Sequence, residues 1–587
     1  MTWKQTARRL TLCGFAGCLF VWLWFRPVFW NMTETRDGFW VALWDIFLWP
    51  STPEYMLGAG IDQLGTFWIF GSLPEILGND GVLPSIFHPI GWDIGWHTGY
   101  AWLDGILSLP LQILGVPTFY NLHIALTLWL SFMGICWLFT RQTSTAAGWL
   151  VAPIIAALAL WTPFGFEEIS MGRPTQMYWV FSILFLGLLY KPPSDDHQWK
   201  HSIAVGLSLT ASCFVYWFGG VAVGFCGGVV VLCQTIQQSD RIRFILRNAL
   251  SGVIAIGASV LLAHNMLIAL WNGDNTFEQL TTTPVAYLGS VELPIYNSIQ
   301  VHGSDHLLQI LYNHPSTTPI LFLGLMGCLL PYGWKERWPW IVGWIVSLGI
   351  PVTGAIAIGD WFFPTGQSLL QWIFPLLLRC EYPERMVVAT TLLSIIVFAH
   401  GFSAWMNRLR MNCLAPHKII WGMGMLVAAG LGWMITPPVA TDLRVSSFVI
   451  DEIRMQIAND FPGGMIDVPF SRSENTYIQQ LFHKQPLLGG PGLNRVQPPA
   501  HVKYCQENSL LMGLEELDQH GTTSKTFTHS DIQSLMDDGF SVLVYDPQSK
   551  RISISSLEDI LQTFPDFIDE RTGIRAYTLE TLLKQHQ

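Results

Sequence analysis

The segment Gly60-Ile61-Asp62-Gln63-Leu64-Gly65-Thr66-Phe67-Trp68 sets one carboxylate in a window that holds no other charge between Glu54 and Glu75. Desolvation raises a carboxyl pKa toward neutrality, which is what a general base at neutral pH needs. A helix cap or a structural bond to a loop amide is the other reading of Asp62, and the residues alone leave both open. A second group with chemical potential is Arg379-Cys380-Glu381-Tyr382-Pro383-Glu384-Arg385. Its guanidinium groups suit bidentate contact with phosphate, with pairing to the local Glu residues as the plainer reading. The turn Phe166-Glu167-Glu168-Ile169-Ser170-Met171-Gly172-Arg173 sets adjacent carboxylates near a third Arg. Trp68, Trp92 and His97 add flat faces to the region that follows Asp62. His302, His306 and His314 match no ligand spacing, and no Cys/His cluster is present, so no cofactor is expected and a metal is not indicated.

These groups need a scaffold, and the composition says which kind. The chain has 587 residues, 51% hydrophobic and only 12% charged, with 28 Trp and 35 Phe. Soluble domains carry about 25% charged residues, so an ordinary soluble enzyme is excluded. The net charge of −11 leaves no basic footprint for nucleic acid. A polytopic membrane protein remains. Apolar runs of spanning character cover Leu10–Phe29, Tyr120–Thr140, Ala146–Pro163, Met177–Tyr190, Ile203–Trp217, Gly219–Ile236, Ala249–Trp271, Pro319–Tyr332, Ile341–Ile358, Met386–Met406 and Ile419–Ile435, about eleven transmembrane helices. Tyr216 to Gly220 reads as the interfacial turn that divides Ile203–Ile236 into two.

With the N-terminus inside, fourteen Lys and Arg of the body fall in inner segments and five in outer ones. That is the asymmetry expected of a multi-pass inner-membrane protein. Asp62, Arg173, Arg379 and Arg385 then share the outer face. The first outer loop, residues 30–117, is the longest before the tail, and loops of that length are usually functional. The spans carry almost no ionisable residue beyond His264 and His400, which argues against a transporter.

Two domains are expected: a transmembrane body over 1–439 and an extracytoplasmic tail over 440–587. The tail holds 12 Lys and Arg against 20 Asp and Glu. Strand-like runs at Gly464–Pro469, Pro486–Gly490, Phe540–Tyr545 and Ile574–Thr578 alternate with helical ones, which predicts a small soluble α/β domain with a partly parallel sheet. It carries no nucleotide or hydrolase motif and reads as a binding element for an acceptor or a protein partner.

The ordered set of Gly60, Asp62 and Trp68, Pro89–Asp93, Tyr120-Asn121-Leu122, the Arg379–Arg385 turn, and Ile466-Asp467-Val468-Pro469 followed by Tyr477, Gln480, His483 and Pro486 resembles bacterial polytopic membrane proteins of the GT-C glycosyltransferase superfamily, in particular the YfhO-like and related branches. That resemblance implies transfer of a sugar from a polyprenyl-phosphate-linked donor to an extracytoplasmic acceptor at the bacterial cytoplasmic membrane. It puts the catalytic carboxylate at Asp62. In the mechanism expected from these residues Arg379 or Arg385, with Arg173, stabilises the departing lipid phosphate, Trp68, Trp92 and His97 line the acceptor site, and Glu167 belongs to a polar floor of the cavity. The sequence departs from the pattern in having Gln63 beside Asp62 where a second acid often stands. A non-catalytic membrane scaffold whose tail binds a protein partner is the alternative.

Overall fold

The computed structural model describes residues 3–31, 55–58, 61–79, 81–93, 102–115, 118–143, 146–190, 198–264, 285–288, 291–294, 299–301, 318–330, 333–350, 355–358, 361–364, 383–411, 445–447, 451–468, 474–489, 498–547 and 552–586. In chain order its main helices begin with α1 (Trp3–Asn31), α2 (Ile61–Gly78), α3 (Leu103–Ser108), α4 (Thr118–Gln142), α5 (Ala146–Leu160), α6 (Pro163–Ser170) and α7 (Val180–Tyr190). They continue with α8 (Gln198–Val215), α9 (Trp217–Gln237), α10 (Arg241–Leu262), α11 (Thr318–Leu329), α12 (Trp334–Leu348), α13 (Val387–Met411), α14 (Glu452–Asp460) and α15 (Glu474–His483). The chain divides into two compact units.

The first unit comprises Met1–Gly58, Ala101–Leu107 and Leu114–Ser446. It is a mostly helical, multi-pass membrane body. Among the described residues four helices, α4, α9, α10 and the Val387–Asn407 part of α13, are long and apolar enough to cross a bilayer, or five if the bent pair Gly148–Leu160 and Phe164–Ser170 is one span. The expected span Ile419–Ile435 lies outside the described residues. Small residues set the helix contacts, as they must where lipid is as apolar as the side chains. A Cβ on Gly327 of α11 would stand 2.7 Å from the backbone N of Phe398 in α13.

Two expectations are corrected here. The break between α8 and α9 falls at Tyr216, and Gly219 and Gly220 lie inside α9. Gly220 lets α9 approach α8 closely, since a Cβ there would stand 2.5 Å from the Cys213 N. The run Ile341–Ile358 is not one helix. α12 stops at Leu348, before Gly349 and Pro351, and Ala355–Ile358 is a strand. Proline cannot donate the next helical bond, so the chain turns out of the helix. That strand pairs in parallel with Ile299–Val301 and antiparallel with Trp361–Pro364.

The second unit comprises Ala59–Tyr100, Ser108–Ile113 and Ser447–Gln587. Part of the first outer loop is therefore built into the same unit as the tail, and the compact boundary differs from a single cut near 440. The strands used here are β1 (Val82–Leu83), β2 (Trp92–Asp93), β3 (Gly464–Val468), β4 (Phe540–Tyr545), β5 (Phe567–Ile568) and β6 (Arg575–Thr578). β1 and β2 form a small antiparallel pair. The larger sheet runs β3-β4-β6-β5, with β3 and β4 parallel and the other pairs antiparallel. All five residues of β3 are buried, as a strand covered on both faces requires.

Beyond β3 the ladder continues. Leu487 bridges to Met465 on one side and to Ile86 on the other, both in parallel. Leu487 N donates to Ser85 O at 2.8 Å and His88 N to Leu487 O at 3.0 Å. The segment at Ser85–His88 thus covers an edge that would otherwise offer unpaired amides. α2 packs on α15 so closely that a Cβ on Gly71 would meet Leu481 at 2.9 Å. Leu510, Leu511, Leu514, Leu517, Ile532, Leu535 and Leu557 fill the core beside β3 and β4.

Candidate functional site

The described residue with the strongest chemical potential is Asp104 in α3. It is wholly buried, and neither carboxylate oxygen closes a hydrogen bond of standard length and angle. The Thr175 hydroxyl and the Gly105 amide face it, and burial pushes its pKa up to about 7. Among the described residues no cation pairs with it. An acid held so is neutral or charged according to small changes around neutral pH, which is the property of a proton carrier.

Thr175 belongs to a turn that the local sequence specifies closely. Thr162 caps α6, its Oγ1 accepting from Gly165 N at 2.9 Å, and Pro163 starts the helix where no amide bond is lost. Met171 ends the helix and Gly172 takes φ of 64°, the left-handed region that favours glycine. Arg173 N then donates to Glu168 O at 2.7 Å.

α4 holds this turn through a polar stripe. Tyr120, His123, Thr127 and Ser131 recur at spacings of three and four, so they share one face of an otherwise apolar span. The Tyr120 hydroxyl donates to Gly172 O. Ser131 Oγ donates to Met177 O at 2.7 Å and accepts from Trp179 N at 3.0 Å. His123 lies parallel to Tyr178, with ring centroids 6.3 Å apart. Thr118 and Thr127 bury hydroxyls, and Gln176 a side-chain oxygen, without a hydrogen bond. Gly58, at φ of 93°, packs on the same turn, where a Cβ would stand 2.8 Å from the Gly172 backbone.

The residues singled out by sequence are placed as follows. Asp62 is in the first turn of α2, and its side chain lies outside the described residues, as do His97 and Arg379. Arg173 Nε meets Glu168 Oε2 at 3.3 Å, and both side chains are largely buried. Glu167, the neighbour expected toward substrate, is exposed. Arg385 is half-buried in the short helix Pro383–Met386 that leads into α13. Trp68 and Trp92 are buried and stack on each other at 5.7 Å, with Phe87 edge-on to Trp92 at 6.0 Å. Their place is an aromatic core of the second unit. Among the described residues, no group of three or more His, Cys, Asp or Glu could hold a metal.

Asp104 was readable in one respect. It is the lone carboxylate between Asp93 and Glu167, the same signal that draws attention to Asp62. What the sequence does not carry is its burial, which depends on a turn about Thr175.

No family model matches this chain, and no curated protein matches it. Solved structures do. The oligosaccharyltransferase AglB from Archaeoglobus fulgidus, in complex with an inhibitory peptide and a dolichol-phosphate, is similar at 11% identity and a TM-score of 0.47, over 94% of this chain and 70% of that one. The same organism's oligosaccharyltransferase in the apo form gives 10% identity and a TM-score of 0.47, over 94% and 71%. The arabinofuranosyltransferase AftD from Mycobacteria gives 12% and 0.46, over 97% of this chain and 40% of that one. Likeness at this level carries no inference of activity.

Proposed function

We propose that the chain is a membrane-embedded glycosyltransferase of the GT-C kind, acting at the outer face on a sugar linked to polyprenyl phosphate. The observation that carries this reading is the buried, cation-free carboxyl of Asp104, seated in the first outer loop against the turn of Arg173. Burying such a group without a charged partner among the described residues is costly, and the cost is retained where the group works. In this reading eleven spans place residues 1–439 in the bacterial cytoplasmic membrane with the N-terminus inside. The tail, 440–587, is an extracytoplasmic α/β domain that binds the acceptor.

The chemistry is a displacement. The acceptor hydroxyl oxygen forms a bond to the anomeric carbon, the bond from that carbon to the phosphate oxygen breaks, and the electron pair leaves with the lipid phosphate. Asp62 takes the hydroxyl proton as general base. Arg173, Arg379 and Arg385 stabilise the departing phosphate. Asp104 supplies a second acid that can hold a proton near neutral pH.

The test is transfer from a polyprenyl-phosphate sugar in membranes carrying Asp62→Asn or Asp104→Asn. Loss of at least ~100-fold in one of them is the expected result. Full transfer in Asp62→Asn removes Asp62 as the base, and full transfer in both removes the mechanism. The scaffold reading has two observations in its favour: Arg173 is neutralised by Glu168, and Trp68 and Trp92 cover each other.

A further inference from the structure

The end of α10 that begins the span carries Arg241, Arg243 and Arg247. Asp240, the acid at that end, is committed to the helix cap, its Oδ1 accepting from Arg243 N at 3.1 Å. Arg243 and Arg247 are four residues apart and so share a face. The Arg247 guanidinium lies 4.9 Å from the Phe244 ring and has no carboxylate partner among the described residues.

α8 packs beside this end through a stripe of small residues. Ser202 Oγ donates to Arg247 O at 3.1 Å and Thr210 Oγ1 to Ala255 O at 3.2 Å. Between them, a Cβ on Gly206 would stand 2.7 Å from Ser251 O. The start of α8 thereby adds Trp199, 58% exposed, Lys200 with its Nζ 5.5 Å from that ring, and His201. Burial, then Arg247 and Arg141, hold the His201 imidazole below its ordinary pKa. Two helix N-termini with their partial positive charge converge on the same place.

The rest of α10 is bare. Only 11% of its apolar window is buried within the protein, and Ile242, Leu246, Val253, Ile256 and Leu261 are each more than 60% exposed. Its 22 residues span about 33 Å, one bilayer core. We propose that this end of α8 and α10 is a headgroup site for an anionic phospholipid, its phosphate held by Arg243, Arg247 and Lys200, Trp199 at the interface, and its acyl chains along α10. A second copy of the chain fits worse. It would bring like-charged Arg clusters together, and the bare face presents branched side chains where the helix contacts of this protein use small ones. The proposal is independent of the transferase reading.

The test uses the full chain in neutral detergent, with thermal unfolding and native mass spectrometry on adding phosphatidylglycerol or phosphatidylcholine of the same acyl chains. Wild type should retain phosphatidylglycerol about ten-fold better, and Arg243→Gln with Arg247→Gln should bring that ratio below about two, with unchanged melting in phosphatidylcholine. Equal retention of the two lipids by wild type overturns the proposal, and so does an undiminished ratio in the variant. Inorganic phosphate alone giving the same stabilisation would make this a free-anion site and also overturns it. Should the double variant fail to fold, wild type decides: the preference must fall between about 0.05 and 0.5 M NaCl, and a salt-independent preference refutes it.

Discussion

Replacing Asp104 by Asn removes a charge without changing shape, and the structure predicts the sign of the effect. The carboxyl sits at about 7 in the folded chain against an ordinary 3.8, with burial as the cause. Its folded pKa is raised, so the folded state binds the proton more tightly than the unfolded one. The stability linked to that proton is fully present below about pH 3.8 and is lost progressively up to about pH 7. The gap of about 3 pKa units corresponds to about 4 kcal/mol above pH 8, more than half of it lost between pH 5 and pH 8. Thr175 and Tyr178 face the carboxyl, with His123 behind Tyr178, and the variant keeps all three. Unfolding in detergent, followed by Trp fluorescence at pH 5 and pH 8, should show wild type losing about 3 kcal/mol more than Asp104→Asn across that interval. Curves that fall in parallel would refute the reasoning, because a buried carboxyl without a cation cannot be insensitive to its own ionisation.

Further outcomes follow from other contacts. Gly58→Ala adds a side chain at positive φ and 2.8 Å from the Gly172 backbone, so a loss of about 1–3 kcal/mol in the same unfolding assay is expected. Arg454 in α14 is buried among Asp467, Asp451 at 3.4 Å and Asp546 at 3.7 Å; Arg454→Met leaves Asp467 buried and unpaired and should cost about 3–5 kcal/mol, with much of it recovered by adding Asp467→Leu. Residues 447–587 expressed alone lack Ile86 beside Leu487 and His88 beside Asp538, and should bind a hydrophobic dye more strongly than a fusion that restores residues 59–100.

The sequence conveys what is local. A 25-residue apolar helix at α4 and the strand Phe540–Tyr545 lie where hydropathy and β-branched residues put them, because burial on all sides leaves one pattern to read. It misplaces what depends on partners. Gly219 and Gly220 look like a turn, but Val388 of α13 lies against the first and Cys213 of α8 against the second, and only the packed helices show that. Asp104 and Asp62 carry the same signal of a lone acid, yet the burial of Asp104 is set by a turn some 70 residues later. Glu167 and Glu168 cannot be told apart in the chain; the register of α6 decides that the second meets Arg173. Trp68 and Trp92 looked available as faces because their stacking partner was each other.

The sheet edge has a consequence for biosynthesis. His88 reaches Asp538 at 2.8 Å across 450 positions of sequence. At about 5–20 residues per second, a ribosome needs roughly 20–90 s to make that intervening stretch. The early segment waits through that time with its strand-forming amides unclaimed. Truncated products would lack the partner altogether, and quality-control proteases can recognise them by that exposed strip.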